Sequence, residues 1–117
     1  MRNAQSSLSV DVQPDRLDPA TVRVRLDGEL DITSSPLLQT VVEQVLQARR
    51  DPPCTSLVVD MSGVGFADAS GIAPLLLARA LLARRGGRIE LRHCRRGVLR
   101  LLRLLDVADM VDLEDAG

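Results

Sequence analysis

The sequence contains no lysine, tryptophan or tyrosine, and Phe66 is its single phenylalanine. All 15 cationic side chains are therefore arginine. Without lysine, Schiff-base chemistry, a P-loop phosphate site and a phosphoaspartate receiver are excluded, because each of them needs that amine. One aromatic ring gives no platform for stacking single-stranded bases, and a net charge of −1 creates no field that would attract nucleic acid. We therefore expect no direct nucleic-acid partner.

Cysteine and histidine are also scarce. Cys54 and Cys94 are too few for a disulfide scaffold, and the predicted strands place them at opposite edges of the sheet, so they are expected to be free. The lone histidine, His93, adjoins Cys94, but neighbours at a strand end point to opposite sides and form no nucleophile–base pair. The G-x-S-x-G pattern of serine hydrolases is absent. We expect no metal, no cofactor and no enzymatic activity.

No apolar run is long enough to cross a bilayer. The longest, residues 72–83, is interrupted by Arg79, and the opening residues MRNAQSSLSV lack the apolar core of a signal peptide. The sequence therefore predicts a cytoplasmic protein with no membrane contact. Its 117 residues form one predicted domain, 1–117, which is large enough to need no disulfide or metal for stability.

The hydrophobic pattern predicts the order β-β-α-β-α-β-α. Predicted strands cover residues 8–12, 22–26, 57–59 and 88–92, with Gly28 ending the second strand and Asp60 the third. The first predicted helix has Ser35 as its N-cap and is closed by Arg49 and Arg50. The other helices cover residues 70–85 and about 98–105. Residues 110–113 are either a short strand or a helix remnant, the ordered core spans about 8–113, and both termini are expected to be frayed.

This order indicates an α/β fold in which a mixed sheet of four or five strands is backed by helices. Sites in such sheets gather at the carboxyl ends of the parallel strands. Residues 28–31 and 60–71 both reach that edge.

Ser70 is the candidate functional residue of this edge. It stands at the start of a predicted helix, where free backbone N–H groups and the helix dipole favour an added phosphate. Asp68 stands two residues before Ser70, and Asp31 belongs to the other segment at this edge. Gly71 has no Cβ, so the backbone of a partner protein can approach it closely. A simpler interpretation, compatible with the first, is that Ser70 or Asp68 only caps the helix. Phe66 either packs in the core or against its own loop, or anchors an interface.

The residues of this edge resemble a family signature. The segments LVVDMSGVGFADASGI at 57–72 and LDGELD at 26–31, with RGGRI at 85–89 and VLRLL at 98–102, are similar to the bacterial anti-anti-sigma factors of the STAS domain family. The resemblance covers about residues 8–113, far more than a single short motif.

The resemblance implies a STAS fold and a monomeric protein that binds an anti-sigma factor which is also a serine kinase. Binding releases the sigma factor, phosphorylation of Ser70 ends binding, and a metal-dependent serine phosphatase reverses the modification. The position of Asp31 is linked in the family to partner binding and to phosphorylation. The predicted partner-binding residues are Asp31, Gly63, Phe66, Asp68, Ala69, Ser70 and Gly71. The alternative is a STAS scaffold without a switch, such as a stressosome-type component or a subunit of a lipid transporter.

Three positions depart from the family pattern. Ala69 replaces a frequent second serine, which leaves Ser70 as the unambiguous phosphorylation site. Pro74 lies early in the following helix, where it removes the hydrogen bond to the Ser70 carbonyl and predicts a late start or a tilt. Asp106 stands where a glycine often follows the last helix, which predicts an irregular helix end.

Overall fold

A computed structural model describes residues 8–111. The order of elements is the predicted β-β-α-β-α-β-α, followed by a short 3-10 helix at Ala108–Met110. The strands are β1 (Ser9–Pro14), β2 (Thr21–Leu30), β3 (Ser56–Ala67) and β4 (Arg88–Arg92), and the helices are α1 (Ser35–Gln47), α2 (Ala69–Ala83) and α3 (Arg96–Leu104). The predictions for residues 1–6 and 112–113 lie outside the described residues.

The four strands form one mixed sheet in the order β1-β2-β3-β4. Strand β1 is antiparallel to β2, whereas β2, β3 and β4 are mutually parallel. Beyond the 3-10 helix, Val111 forms only an isolated parallel bridge with Leu91. The predicted α/β fold with a mixed sheet is therefore confirmed, with four strands in the described part of the chain.

One face of the sheet carries the core. Alternate residues of the strands point toward α1 and α2, so that Leu26, Val59 and Leu91 are almost completely buried. Residues of the opposite face, such as Arg23 and Arg25, are exposed. Helix α3 adds Val98 and Leu102 to the same core and leaves its arginines in solvent, as its pattern predicted. The helical core residues are Leu38, Val42, Leu46, Ile72, Leu75, Ala78, Leu82, Val98 and Leu102.

Two strands are longer than predicted. Gly28 does not end β2, because a φ of 125° accommodates a register shift and pairing resumes at Glu29 and Phe66. Asp60 does not end β3 either, since β3 continues to pair with β2 through Ala67. The segment expected to be a loop, 61–69, is therefore mostly strand, and Met61 within it is fully buried.

The helix ends also differ from the prediction. The N-cap of α1 is Ser34 rather than Ser35, and α1 ends at Gln47, before the two arginines expected to close it. Helix α2 ends at Ala83. Beyond it, the guanidinium of Arg85 donates to the carbonyl of Leu46 in the last turn of α1 and to the carbonyl of Cys54. Cations near the last carbonyls of a helix stabilise its C-terminus.

The predictions for the two unusual positions in the later helices are both wrong. Pro74 is buried inside α2, which begins before it, so the predicted late start is wrong. Asp106 has a φ of 59°, the left-handed conformation that glycine usually supplies after a helix. Its N–H donates to the Arg103 carbonyl and the Val107 N–H donates to the Leu102 carbonyl, so α3 ends in a regular Schellman motif and the predicted irregular end is wrong.

Candidate functional site

The carboxyl ends of β2 and β3 bring the two predicted segments together. Leu30 is paired with Ala67 at the last position of both strands. One residue further, the Asp68 N–H donates to the Leu30 carbonyl over 2.9 Å. The turn that begins at Asp31 and the start of α2 are therefore neighbours on one edge of the sheet, as the sequence predicted.

Asp68 caps α2. Its backbone is extended, and its Oδ1 accepts the N–H of Gly71 over 3.0 Å. Ser70 is the second residue of the helix and is exposed. The capping interpretation is thus confirmed for Asp68 and wrong for Ser70. The serine lies in the first turn, among the N–H groups that favour an anion, without serving as the cap.

Gly71 has a role inside the molecule. It is buried, and a Cβ at this position would lie 2.0 Å from the Leu30 carbonyl carbon and 2.5 Å from the Asp31 nitrogen. We expected a partner's backbone to approach this glycine closely, but the backbone of Leu30 and Asp31 occupies that space instead. Gly63 is similar, because its Cβ would lie 1.9 Å from Oδ1 of Asp27.

The carboxylate of Asp31 organises the turn that leads into α1. Its Oδ1 accepts the Thr33 hydroxyl over 2.7 Å, the Thr33 N–H over 3.0 Å and the Ser34 N–H over 3.1 Å. The Asp31 N–H in turn donates to the Ser34 hydroxyl over 3.0 Å. The Thr33 hydroxyl, followed by the Ser34 N–H, holds the pKa of Asp31 below its ordinary value, so the site carries a stable negative charge.

Large apolar side chains are exposed at the same edge. Phe66 is 50% exposed, so it is not a core residue, although half of its surface is covered by the protein. Ile32 is 72% exposed and was not predicted as a site residue. The sequence could have indicated this residue, because an isoleucine in a polar turn, directly after Asp31, has no strand position that points into the core.

Arg95 is a second residue that the sequence reasoning missed. It precedes α3, and its Nε donates to the Ser62 carbonyl of β3 over 3.0 Å. A Cβ at Gly65 would lie 3.9 Å from its Nη1. Arg95 therefore brings a positive charge beside the last part of β3. No local pattern singles it out among neighbouring arginines, because its position depends on how α3 packs.

Other chemistry is sparse in the described part of the chain. Residues 8–111 contain no group of three or more His, Cys, Asp or Glu side chains arranged to hold a metal ion. Cys54 and Cys94 are not joined by a disulfide, and burial raises the pKa of the Cys54 thiol. None of the helices in this range is long and apolar enough to span a membrane.

This architecture is that of the STAS domains. A family model described as "Mlab, STAS domain" matches residues 15–112, and the chain belongs to this family. The resemblance found in the sequence is thus confirmed. Among its curated relatives, an anti-sigma F factor antagonist of Paenibacillus polymyxa is 27% identical over 79% of this chain and 76% of its own. An anti-sigma-B factor antagonist of Bacillus subtilis is 22% identical, covering 92% and 91% of the two chains.

Solved structures share the fold. An anti-sigma factor antagonist from Mycobacterium paratuberculosis superposes with a TM-score of 0.73 at 23% identity, covering 94% of this chain and 91% of its own. The anti-sigma factor antagonist SpoIIAA in its unphosphorylated form gives 0.70 at 20% identity over 87% and 86% of the two chains, and its phosphorylated form gives 0.66 at 19% identity over 87% and 89%. A sulfate transporter family protein from Wolinella succinogenes gives 0.67 at 14% identity over 86% and 79%.

Proposed function

We propose that this protein is a cytoplasmic anti-sigma factor antagonist that acts by binding, and that phosphorylation of Ser70 switches the binding off. The observation that carries the proposal is the exposure of Ser70 in the first turn of α2, beside the ends of β2 and β3. The partner is an anti-sigma factor with serine kinase activity. A serine phosphatase restores the binding form, and the antagonist itself is a monomer.

The switch is electrostatic. The kinase transfers the γ-phosphoryl group of ATP to the Ser70 oxygen, which loses its proton, and ADP leaves. The product carries about −1.5 to −2 charges on a surface that already holds the carboxylates of Asp68 and Asp31. A partner surface that fits the neutral serine must then desolvate an unpaired dianion. A loss of about 3 kcal/mol weakens binding more than a hundredfold, which is sufficient for a switch.

Ile32 and Phe66 supply the apolar part of the proposed interface. Both are large and exposed, and they lie at the ends of the neighbouring strands that frame Ser70. Interfaces draw most of their energy from a few such side chains surrounded by polar contacts. Asp31, Gly63, Asp68, Ala69 and Gly71 complete the proposed surface, with the two glycines acting by holding its backbone in shape.

The decisive experiment incubates the protein with its cognate kinase and ATP. We expect one phosphate per chain, located at Ser70 by mass spectrometry, and none in Ser70→Ala. In a binding assay, Ser70→Ala keeps its affinity for the kinase and Ser70→Asp loses at least tenfold. Gln47→Glu, which adds one negative charge at the exposed last residue of α1, at the other end of that helix from Asp31, is the control and keeps its affinity. Equal binding by Ser70→Ala and Ser70→Asp would contradict the switch.

The second candidate is a STAS scaffold that binds without being switched. It is favoured by the family model, which is described by the name Mlab, and by the structural likeness to a sulfate transporter family protein. A scaffold would bind its partner through the same edge but would take up no phosphate at Ser70. The labelling experiment therefore separates the two candidates.

A further inference from the structure

The solvent face of α3 carries a row of positive charge. The apolar side of this nine-residue helix packs on the core, so its opposite side faces water. Arg96, Arg100 and Arg103 lie on that side and are exposed, at the i, i+4 and i+7 spacing that brings helical side chains together. With Leu104, which is 78% exposed, they line a shallow concave surface of about 460 Å³. We call these three arginines the arginine row.

The arginine row has no acidic partner within residues 8–111. In the same range, five other arginines each form an ion pair with an aspartate or glutamate, namely Arg23, Arg25, Arg79, Arg88 and Arg92. Asp106 follows α3 without forming an ion pair in this range, and Asp109 is already paired with Arg79. The positive charge of the row is therefore left for a partner outside these residues.

The charges of the row are unfavourable for α3 alone. Like charges three or four residues apart on a helix repel each other. Arg96 is also the first residue of α3 and follows Arg95 as N-cap, and the first turn holds no acidic residue. The helix dipole favours anions at this end, so two cations there oppose it. Carboxylates brought by a partner would relieve both effects.

An acidic helix is the anionic partner that fits this surface best. Carboxylates at i, i+4 and i+7 repeat the spacing of the arginines, over about 10 Å of helix, and each can form a charge-assisted pair with a guanidinium. One apolar residue beside them would cover Leu104. Nucleic acid and anionic membranes fit less well, because the whole chain has a net charge of −1 and Leu104 is the one largely exposed apolar side chain of α3.

We propose that the arginine row binds an acidic helix of a partner protein, with one carboxylate opposite each arginine and an apolar side chain on Leu104. The proposal does not rest on the switch at Ser70, since neither the row nor its test involves phosphorylation.

The test compares two synthetic peptides of about 15 residues, a length at which an isolated helix can form. One has three glutamates at the i, i+4 and i+7 spacing and a leucine, and the other has glutamine in place of each glutamate. Binding is followed by the NMR shifts of the backbone amides of α3 and of the Leu104 methyl groups. We expect saturable shifts with the glutamate peptide and about tenfold weaker binding of the glutamine peptide. The difference disappears as salt rises from about 50 to about 500 mM.

Variants of the row locate the contact. Arg96→Gln, Arg100→Gln and Arg103→Gln, combined, weaken binding of the glutamate peptide about tenfold and leave the glutamine peptide unchanged. Lysine at the same positions keeps the charge and most of the affinity. Thermal unfolding checks that the glutamine variant is folded, and its midpoint should not fall, because repulsion within α3 is relieved.

A matched control removes the same charge from exposed positions outside α3. It combines Arg16→Gln, Arg49→Gln and Arg84→Gln and changes neither affinity. Absence of saturable shifts, equal binding of the two peptides, or equal losses in the control and the row variant overturns the proposal.

Three further results would assign the row to another occupant and would also overturn the proposal. Asp112→Asn, Glu114→Gln and Asp115→Asn, combined, would raise the affinity for the glutamate peptide at least about tenfold if the chain's own acidic residues occupied the row. Shifts of the α3 amides with duplex DNA, but not with the glutamate peptide, would indicate nucleic acid. The same result with phosphatidylglycerol vesicles would indicate a membrane.

Discussion

The backbone of Gly71 lies directly against that of Leu30, so the first turn of α2 rests on the last residue of β2. Any side chain at position 71 would collide with backbone atoms, since a Cβ would lie 2.1 Å from the Leu30 carbonyl oxygen. Backbone cannot move aside as a flexible side chain can. The approach is also what brings the Asp31 turn beside Ser70.

Gly71→Ala is therefore expected to lower the free energy of unfolding by at least about 2 kcal/mol, because the core must separate to admit one methyl group. Chemical denaturation measures the change. Gly97→Ala is the control, because a Cβ there meets nothing within 4 Å in α3, and it should raise stability by up to about 1 kcal/mol. Equal stability of Gly71→Ala and the wild type would refute the contact.

Asp68→Ala is expected to cost about 1 kcal/mol of stability, because the Gly71 N–H loses its acceptor at the start of α2. Asp68→Asn keeps an oxygen that can accept the same bond and should lose much less. Urea denaturation of both variants gives the comparison. If the two variants lose the same amount, the charge of Asp68, rather than its hydrogen bond, is what stabilises the helix.

The contribution of the Asp31 carboxylate to stability should depend on pH, and the hydroxyl of Thr33 should set the pKa at which it is lost. Because the folded pKa of Asp31 lies below its ordinary 3.8, the carboxylate stabilises the folded state above that value, and this contribution is lost as pH falls through the folded pKa. Thr33→Val removes the hydroxyl whose hydrogen bond lowers the pKa of Asp31 most, so this pKa rises toward 3.8 and the acid dependence of stability becomes smaller. Carboxyl NMR titration measures the pKa. Thr40→Val, on the exposed side of α1, should leave it unchanged.

The neighbouring residues Arg84 and Arg85 should differ in how much their side chains contribute to the stability of the fold. Arg85 donates to two backbone carbonyls, of Leu46 and Cys54, and Arg85→Ala is expected to cost about 1–2 kcal/mol. The Arg84 side chain is exposed and has no hydrogen-bond or ion-pair partner within the described range, so Arg84→Ala should change stability by less than about 0.5 kcal/mol. Thermal unfolding of the two variants provides the measurement, and similar losses would contradict the proposed role of Arg85.

The sequence predicted the order of elements, because hydrophobic periodicity is a local signal. It also predicted that two segments meet at one sheet edge, because the carboxyl ends of parallel strands lie at the same edge. It did not predict that β2 and β3 continue past Gly28 and Asp60. Their pairing depends on a register shift that is set by the partner strand. The packing role of Gly71 was also invisible, because it depends on the Leu30 backbone, 41 positions earlier in the sequence. Phe66 and Arg95 illustrate the same limit, since their positions follow from tertiary packing.

Pro74 has a consequence for the helix that carries the candidate serine. Proline has no N–H, so the carbonyl of Ser70, four residues earlier, receives no helical hydrogen bond from position 74. The first turn is held instead by its contacts with the end of β2, where the Gly71 backbone packs on Leu30 and the Asp68 N–H donates to the Leu30 carbonyl. The position of the Ser70 hydroxyl is therefore set by the end of β2 more than by the remainder of α2.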